Sequence, residues 1–252
     1  MRLFVWVCIL LASFPLLAAE TARPIVSIII DDMGYRLEQD RHALTLSGPV
    51  AFSILPNTPG AKRILNAARE AGFEIMLHLP MESKGSNGTM SPGTLTSDMN
   101  WITFVRTVQA NLAAVPGIVA VNNHQGSSLT ADHQRMRWLM QELSYHRGMA
   151  FIDSRTTHHT VALEVARKFG LPATRRDVFL DYAPGKIAEQ FDLLIDKAKS
   201  TGSALAIAHP HEETISYLKA NMHRLAQHGI ELVPVSQLIA KRQQQLLAAV
   251  GG

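Results

Sequence analysis

Short unbroken apolar runs recur along the chain, and each stops at a side chain that can hold a metal or move a proton. Residues 25–30 lead into Asp31 and Asp32, 74–77 into His78, 118–121 into Asn122, Asn123 and His124, 149–152 into Asp153, and 204–208 into His209. Strands buried on both faces read as continuous apolar runs, which is the mark of a parallel sheet. Between the runs the apolar spacing changes to a helical one. In 61–71 it places Ile64, Leu65 and Ala68 on one face, with Gly72 as the stop. Further helices are predicted over 97–115, 131–146, 160–169, 186–201 and 212–228 and from about residue 236, and further strands over 50–55, 174–180 and 230–233. Strand–helix alternation of this kind implies parallel βαβ units. The predicted fold is a single-domain α/β protein, an irregular (β/α) barrel of about seven to eight mostly parallel strands. An open doubly wound sheet is the alternative, but no glycine-rich phosphate fingerprint follows the first strand. In barrels the C-terminal strand ends share one face, where active sites sit. The polar residues that end the runs are therefore expected to converge.

Composition narrows the picture. The chain has 252 residues, 47% hydrophobic and 18% charged, with a formal charge of +3. Arg175-Arg176 and Lys241-Arg242 are short pairs, not a basic stripe, so a nucleic-acid partner is not expected. Residues 1–19 read as a secretory signal peptide: Arg2 starts it, 3–17 are apolar, and Ala18-Ala19 precede Glu20. The apolar run of about 15 residues is shorter than the ~20 of a spanning helix. The mature domain is then 20–252, in the periplasm or secreted, touching membrane only through the leader before cleavage. An uncleaved anchor is the lesser alternative. The single cysteine, Cys8, lies in that leader. A metal site in the mature chain must therefore use nitrogen and oxygen ligands. The polar loop 81–96 fits a lid or substrate-contacting loop, or equally a surface insertion.

Several residues carry candidate chemistry. Two adjacent carboxylates, Asp31 and Asp32, can divide between binding a metal and abstracting a proton. Asp32, His78 and His124 together make a two-nitrogen, one-oxygen ligand set with room for water, the arrangement of catalytic zinc. Asn123 and Ser127 belong to a polar knot, Asn122 to Ser127, suited to holding a ligand. Asp153 and Arg155 follow the fifth run; the carboxylate can orient the site as a catalytic residue and Arg155 can contact substrate, with a structural ion pair between them as the competing role. His209 is placed to protonate a leaving group; His211 can serve instead or cap the next helix. Asp181 lies at the right end of its strand to contact substrate, whereas Asp177 lies too early. His158 and His159 lead into a helix, and His42, His133, His146, His223 and His228 are read as surface residues.

The segments 28–34, 55–59, 77–82, 123–127, 151–156 and 208–210, in that order, resemble the divergent polysaccharide deacetylase family over about residues 25–239. The resemblance implies a distorted (β/α) barrel, with Asp31 as base, Asp32 as metal ligand and His209 as general acid. Better-known relatives draw both ligand histidines from one His-x-x-x-His segment. Here Glu82 stands at the second position, and His124 from the next strand takes its place. The implied activity is metal-dependent removal of acetyl groups from an N-acetylated cell-envelope polysaccharide, with zinc as the expected ion. A non-catalytic glycan- or partner-binding protein on the same fold is the alternative. A two-carboxylate glycosidase using Asp31 and Asp153 ranks last, because it leaves the strand-end histidines idle.

Overall fold

The computed structural model describes residues 23–85 and 90–250; the segment read as a signal peptide, with Cys8, lies outside them. The chain runs β1 (Ile25–Met33), α1 (Leu37–Ala43), β2 (Ala51–Ile54), α2 (Ala61–Glu70), β3 (Glu74–Met81), α3 (Trp101–Ala114), β4 (Ala120–Gln125) and α4 (His133–Ser144). It continues with β5 (Ala150–Asp153), α5 (Ala162–Lys168), β6 (Ala173–Arg175), β7 (Val178–Phe179), α6 (Ile187–Thr201) and β8 (Ser203–Ala208), then α7 (Glu212–Asn221), α8 (His223–Gln227), β9 (Glu231–Leu232) and α9 (Val235–Val250). The strands form one sheet in the order β6-β5-β4-β3-β2-β1-β8-β7, with β9 on β1. Every ladder is parallel. The sheet curls into an irregular barrel, as the sequence implies, and among the described residues no ladder joins β6 to β7. Among those residues no helix is long and apolar enough to cross a membrane.

Alternation along each strand sorts the core into two layers. Even-numbered residues of β1 (Val26, Ile28, Ile30), with Phe52, Ile54, Ile75, Leu77 and Val121, pack outward under the helices. Odd-numbered Ile25 and Ile29, with Ala51, Met76, Ala120, Ala150, Ile152, Leu205 and Ile207, pack inside the curl, where α9 adds Val235, Leu238 and Ile239. Continuous apolar runs are what this two-sided burial demands. One step further along the inner face, the same parity reaches Asp31, Ser53, His78, Asn122 and His209. The interior is therefore apolar at its base and polar at its C-terminal rim.

Two predicted elements differ, and one further helix is present. The strand expected over 174–180 is two strands, because Arg176 N donates to Asp153 O (3.0 Å) while Asp177 N donates to Leu205 O (2.9 Å). The chain thus crosses the gap in the barrel between those two residues. The helix expected over 212–228 breaks at Met222 into α7 and α8. Helix α1, absent from the sequence reading, is too short for a periodic signal. The helix expected from 97 starts later, at Trp101, where Asn100 Oδ1 caps it at Thr103 N (2.9 Å); Asp132 Oδ1 caps α4 at Gln134 N (2.8 Å).

Candidate metal centre and active site

The metal-capable residues lie within the strands rather than after them. Asp31 and Asp32 belong to β1, His78 to β3 and His124 to β4. Register does the aiming: His78 pairs with Asn122 and Pro80 with His124. His78, Asn122 and His124 share parity, so all three face the interior.

Adjacent residues on a regular strand face opposite ways, yet both aspartates reach the site. The β1–β2 register shifts between Ile30 and Met33, and Asp32 has φ +60°. This bulge supplies one extra residue. Asp32 turns inward beside Asp31, and Met33 returns to the outer core. A left-handed aspartate costs about 1–3 kcal/mol, and it persists here where two imidazoles converge on its carboxylate.

Three ligand atoms converge. Asp32 Oδ1 lies 3.1 Å from His78 Nε2 and 2.8 Å from His124 Nδ1, and the two ring nitrogens are 3.2 Å apart. Tetrahedral zinc with bonds of about 2.0–2.1 Å requires ligand atoms about 3.3 Å apart. Asp32 Oδ1 is buried and has no hydrogen-bond partner of acceptable geometry despite these short distances. His78 Nδ1 donates to Asn122 Oδ1 (3.0 Å), so Nε2 carries the free lone pair. A cation satisfies all three atoms at once, and the donor set fits zinc or a similar divalent ion. Burial pushes the Asp32 carboxyl up, but the flanking His124 and His78 outweigh it and hold it well below the usual carboxylate range.

Asn122 is the hub of the inner rim. Its Nδ2 donates to Asp31 Oδ1 (2.8 Å) and Oδ2 (3.0 Å), and its Oδ1 also accepts from Ser53 Oγ (2.5 Å). Asp31 is buried, 3.7 Å from His78 Nε2. Burial raises its carboxyl above the ordinary value in spite of the nearby imidazoles. Such a carboxylate holds a proton more readily than an exposed one, which suits a base.

His209 faces this pair from the position directly after β8. Its backbone N donates to Asp181 Oδ2 (2.7 Å), its Nδ1 meets Asp181 Oδ1 (3.1 Å), and Thr214 Oγ1 donates to Asp181 Oδ2 (2.9 Å). The ring's Nε2 then points at Asp32 Oδ2, 3.8 Å away. Burial works against the imidazolium, but Asp181 together with Asp32 and Asp31 outweighs it and pushes His209 up to about 9. A second group, Asp181, His209 and His211, is also close enough to share an ion, but Asp181 and His209 Nδ1 already bind each other. A cleft of about 450 Å³ opens beside Asp32 and His209, lined also by Tyr35, Arg36 and His211.

The remaining candidates divide. Asp153 is buried and accepts from Arg155 N (2.8 Å) and Thr160 Oγ1 (3.0 Å), and burial raises its carboxyl. It holds the β5 crest beside Asn122 and makes no ion pair with Arg155 at contact distance. Asn123, read as a substrate contact, is buried, with Oδ1 accepting from Ser154 N (2.9 Å) and Nδ2 donating to Gln125 O (2.7 Å). Its parity turns it away from the interior. Ser127 Oγ accepts from Lys84 N (3.0 Å), tying the loop after β4 to the one after β3. Arg155 is exposed. Asp181, also read as a substrate contact, is committed to His209 and Thr214. Asp177 lies low, as read, bonded to Leu205 N (2.8 Å) and Arg242 Nη2 (2.5 Å). His211 precedes α7 without a side-chain cap bond. Glu82, at the position where relatives carry a histidine, accepts from Ser97 N (2.5 Å) and serves the loop instead.

Two residues at the rim, Ser53 and Arg176, carry no functional signal in the sequence, and Asn122 is legible there only as the start of the polar knot. Ser53 reads as a polar interruption at an inner position. Arg176 looked like half of a surface pair. Its Nε donates to Ser154 O (2.7 Å) and its Nη2 to Arg155 O (3.0 Å), fixing a guanidinium near Asp31 and Asp153.

The family model described as divergent polysaccharide deacetylase matches residues 28–239. The chain belongs to this family. It is 33% identical over 237 residues to the protein YibQ of Escherichia coli, covering 93% of this chain and 72% of that one. A Haemophilus influenzae protein is 32% identical over 219 residues, covering 84% of this chain and 76% of the relative. Among solved structures, protein ATU2773 from Agrobacterium tumefaciens superposes with a TM-score of 0.81 at 24% identity, over 87% of this chain and 91% of that one. The peptidoglycan deacetylase PdaC from Bacillus subtilis superposes with a TM-score of 0.52 at 11% identity, over 90% and 96% of the two chains. At these identities the two structures establish the shared fold.

Proposed function

We propose that this family member is a metal-dependent amide hydrolase that removes acetyl groups from an N-acetylated polysaccharide of the cell envelope. The observation that carries the reading is the meeting of Asp32 Oδ1, His78 Nε2 and His124 Nδ1 within about 3 Å, between buried Asp31 on one side and the Asp181–His209 pair on the other. A divalent ion held there, zinc first, supplies a Lewis acid for the acetyl carbonyl and for water. Asp31 accepts the proton of the attacking water. Asn122 holds that carboxylate in place and keeps His78 in the tautomer that leaves Nε2 free. His209, held through Nδ1 by Asp181, delivers a proton from Nε2 to the departing amine. Asp153 and Arg176 stabilise the β5 crest beside the base. The apolar segment 3–17, read as part of a leader, supports a site of action outside the cytoplasm, where an envelope glycan is met.

The test combines metal content with acetate release from N-acetylated glycan oligomers. About one ion per chain is expected in the wild type. His78→Ala and His124→Ala should lose it, whereas Asp31→Asn should keep it; all three should release no acetate. Bound ion and bound glycan without acetate from any substrate would replace the hydrolase with a glycan-binding protein. Unchanged release in His78→Ala would remove the metal from the mechanism.

A further inference from the structure

A second cleft, of about 520 Å³, opens on the α5 and β6 side of the same rim. Its lining includes Asp153, Arg155, Glu164, Arg167, Lys168 and Arg175. Lys168 is paired with Glu164 (2.5 Å). The guanidinium groups of Arg155, Arg167 and Arg175 make no ion pair or hydrogen bond among the described residues, and all three are exposed. Arg176, Arg224 and Arg242, by comparison, are engaged: Arg176 on two carbonyls, Arg224 on Asp192 and Arg242 on Asp177.

The backbone that carries Arg155 is clamped. Its N donates to Asp153 Oδ1 (2.8 Å), its O accepts from Arg176 Nη2 (3.0 Å), and Thr156 Oγ1 donates to Gln125 O (2.8 Å). This holds Arg155 at φ +52°, a conformation that costs a non-glycine residue free energy. The clamp fixes the backbone and leaves the side chain over the cleft.

Guanidinium groups match carboxylate and phosphate oxyanions in a two-pronged geometry, and unpaired arginines gathered in a concave site favour that charge. The cleft is linked to Asp31 through one side chain: Ser154, between Asp153 and Arg155, accepts at 3.3 Å from the Asn122 amide that also holds the base. We infer that this cleft is an anion subsite, binding a carboxylate or phosphate substituent on the glycan whose acetamido group lies at the metal centre. The inference rests on the glycan reading above and narrows it to acidic glycans.

The test is calorimetric binding of three N-acetylated tetrasaccharides to the zinc-loaded protein: neutral, carboxylate-bearing and phosphate-bearing. Wild type should bind one or both acidic forms at least about tenfold more tightly than the neutral one at low salt, with the gap narrowing as salt rises. The stronger acidic form identifies the substituent. Arg167→Gln/Arg175→Gln should erase the gap and leave neutral binding unchanged. Equal affinity for neutral and acidic forms, or equal weakening of both in the variant, would overturn the subsite. Failure to bind any of the three would overturn the subsite and the glycan reading together. Acetate release measured in parallel separates the rest: acidic preference without acetate leaves the subsite standing and removes only the hydrolase.

Discussion

His78 donates from Nδ1 to Asn122 Oδ1 at 3.0 Å, and that one bond decides which ring nitrogen is free for the metal. The two residues are directly paired in the β3–β4 ladder, so strand register delivers the orientation. The other end of the amide holds both oxygens of Asp31. A single side chain thus sets the ligand and the base.

Asn122→Ala should therefore weaken zinc binding about 10–100-fold, the usual effect of losing a partner behind a metal ligand. It also strands Asp31 and His78 Nδ1 in a buried site, at about 1–3 kcal/mol of stability. Zinc titration by competition with a chelating dye, alongside urea melts, checks both. Unchanged zinc affinity would show that Asn122 does not orient the ligand.

Asp181→Asn should separate proton delivery from metal binding. Asp181 touches His209 and Thr214 and none of the three proposed ligands. Metal content should stay at the wild-type level while acetate release falls about 10²–10⁴-fold, the range for losing general acid–base assistance. The alkaline limb of the pH–rate profile should move to lower pH as His209 loses its anion. Loss of metal in this variant would count against the division of roles.

Asp40 predicts a pH-dependent stability. It is fully buried beneath the turn after β1, with Oδ2 accepting from Gly34 N (3.0 Å) and Oδ1 unpartnered. Burial, only partly offset by the Gly34 bond and by Arg36, raises its carboxyl to about 6 from an ordinary 3.8. The folded state then binds the proton more tightly than the unfolded state. Asp40 accordingly costs stability as pH rises through about 4–6, by up to about 3 kcal/mol at neutral pH. Asp40→Asn keeps an acceptor for Gly34 and should be more stable than wild type at pH 7. The gain should shrink towards pH 4 in denaturant titrations. Equal stability differences at both pH values would contradict the shift.

Gly34→Ala should damage the site from two residues away. A Cβ there falls 2.2 Å from Thr58 Oγ1, and φ is +123°. Overpacking of this kind costs about 1–3 kcal/mol, with backbone strain in addition. Because Gly34 directly follows the bulge that turns Asp32 inward, zinc affinity should fall with stability. Thr58→Ala in the same chain should recover the part due to the clash and leave the strain. Calorimetric melting and zinc titration of both variants test this.

Sequence by itself determined the class of fold and most of the candidate site. Strands buried on both faces need continuous apolar runs, and those of β1, β3, β4, β5 and β8 are legible without coordinates. The residues that end them, from Asp31 to His209, follow because parallel strands share one C-terminal rim. Tertiary structure alone decided the rest. Whether Asp32 faces its neighbour's pocket depends on a bulge between Ile30 and Met33 and on φ +60°, and no pattern in Asp-Asp-Met-Gly specifies that. Asn122 and Asn123 are adjacent and identical in type, yet register turns one to the base and the other into the β4–β5 junction. Asp181 and Asp153 look alike at strand ends; only the meeting of β7 with β8 gives Asp181 to His209. Apolar burial is read one residue at a time and survives in sequence, whereas ligand geometry depends on pairs of residues from different strands and exists only once they are registered.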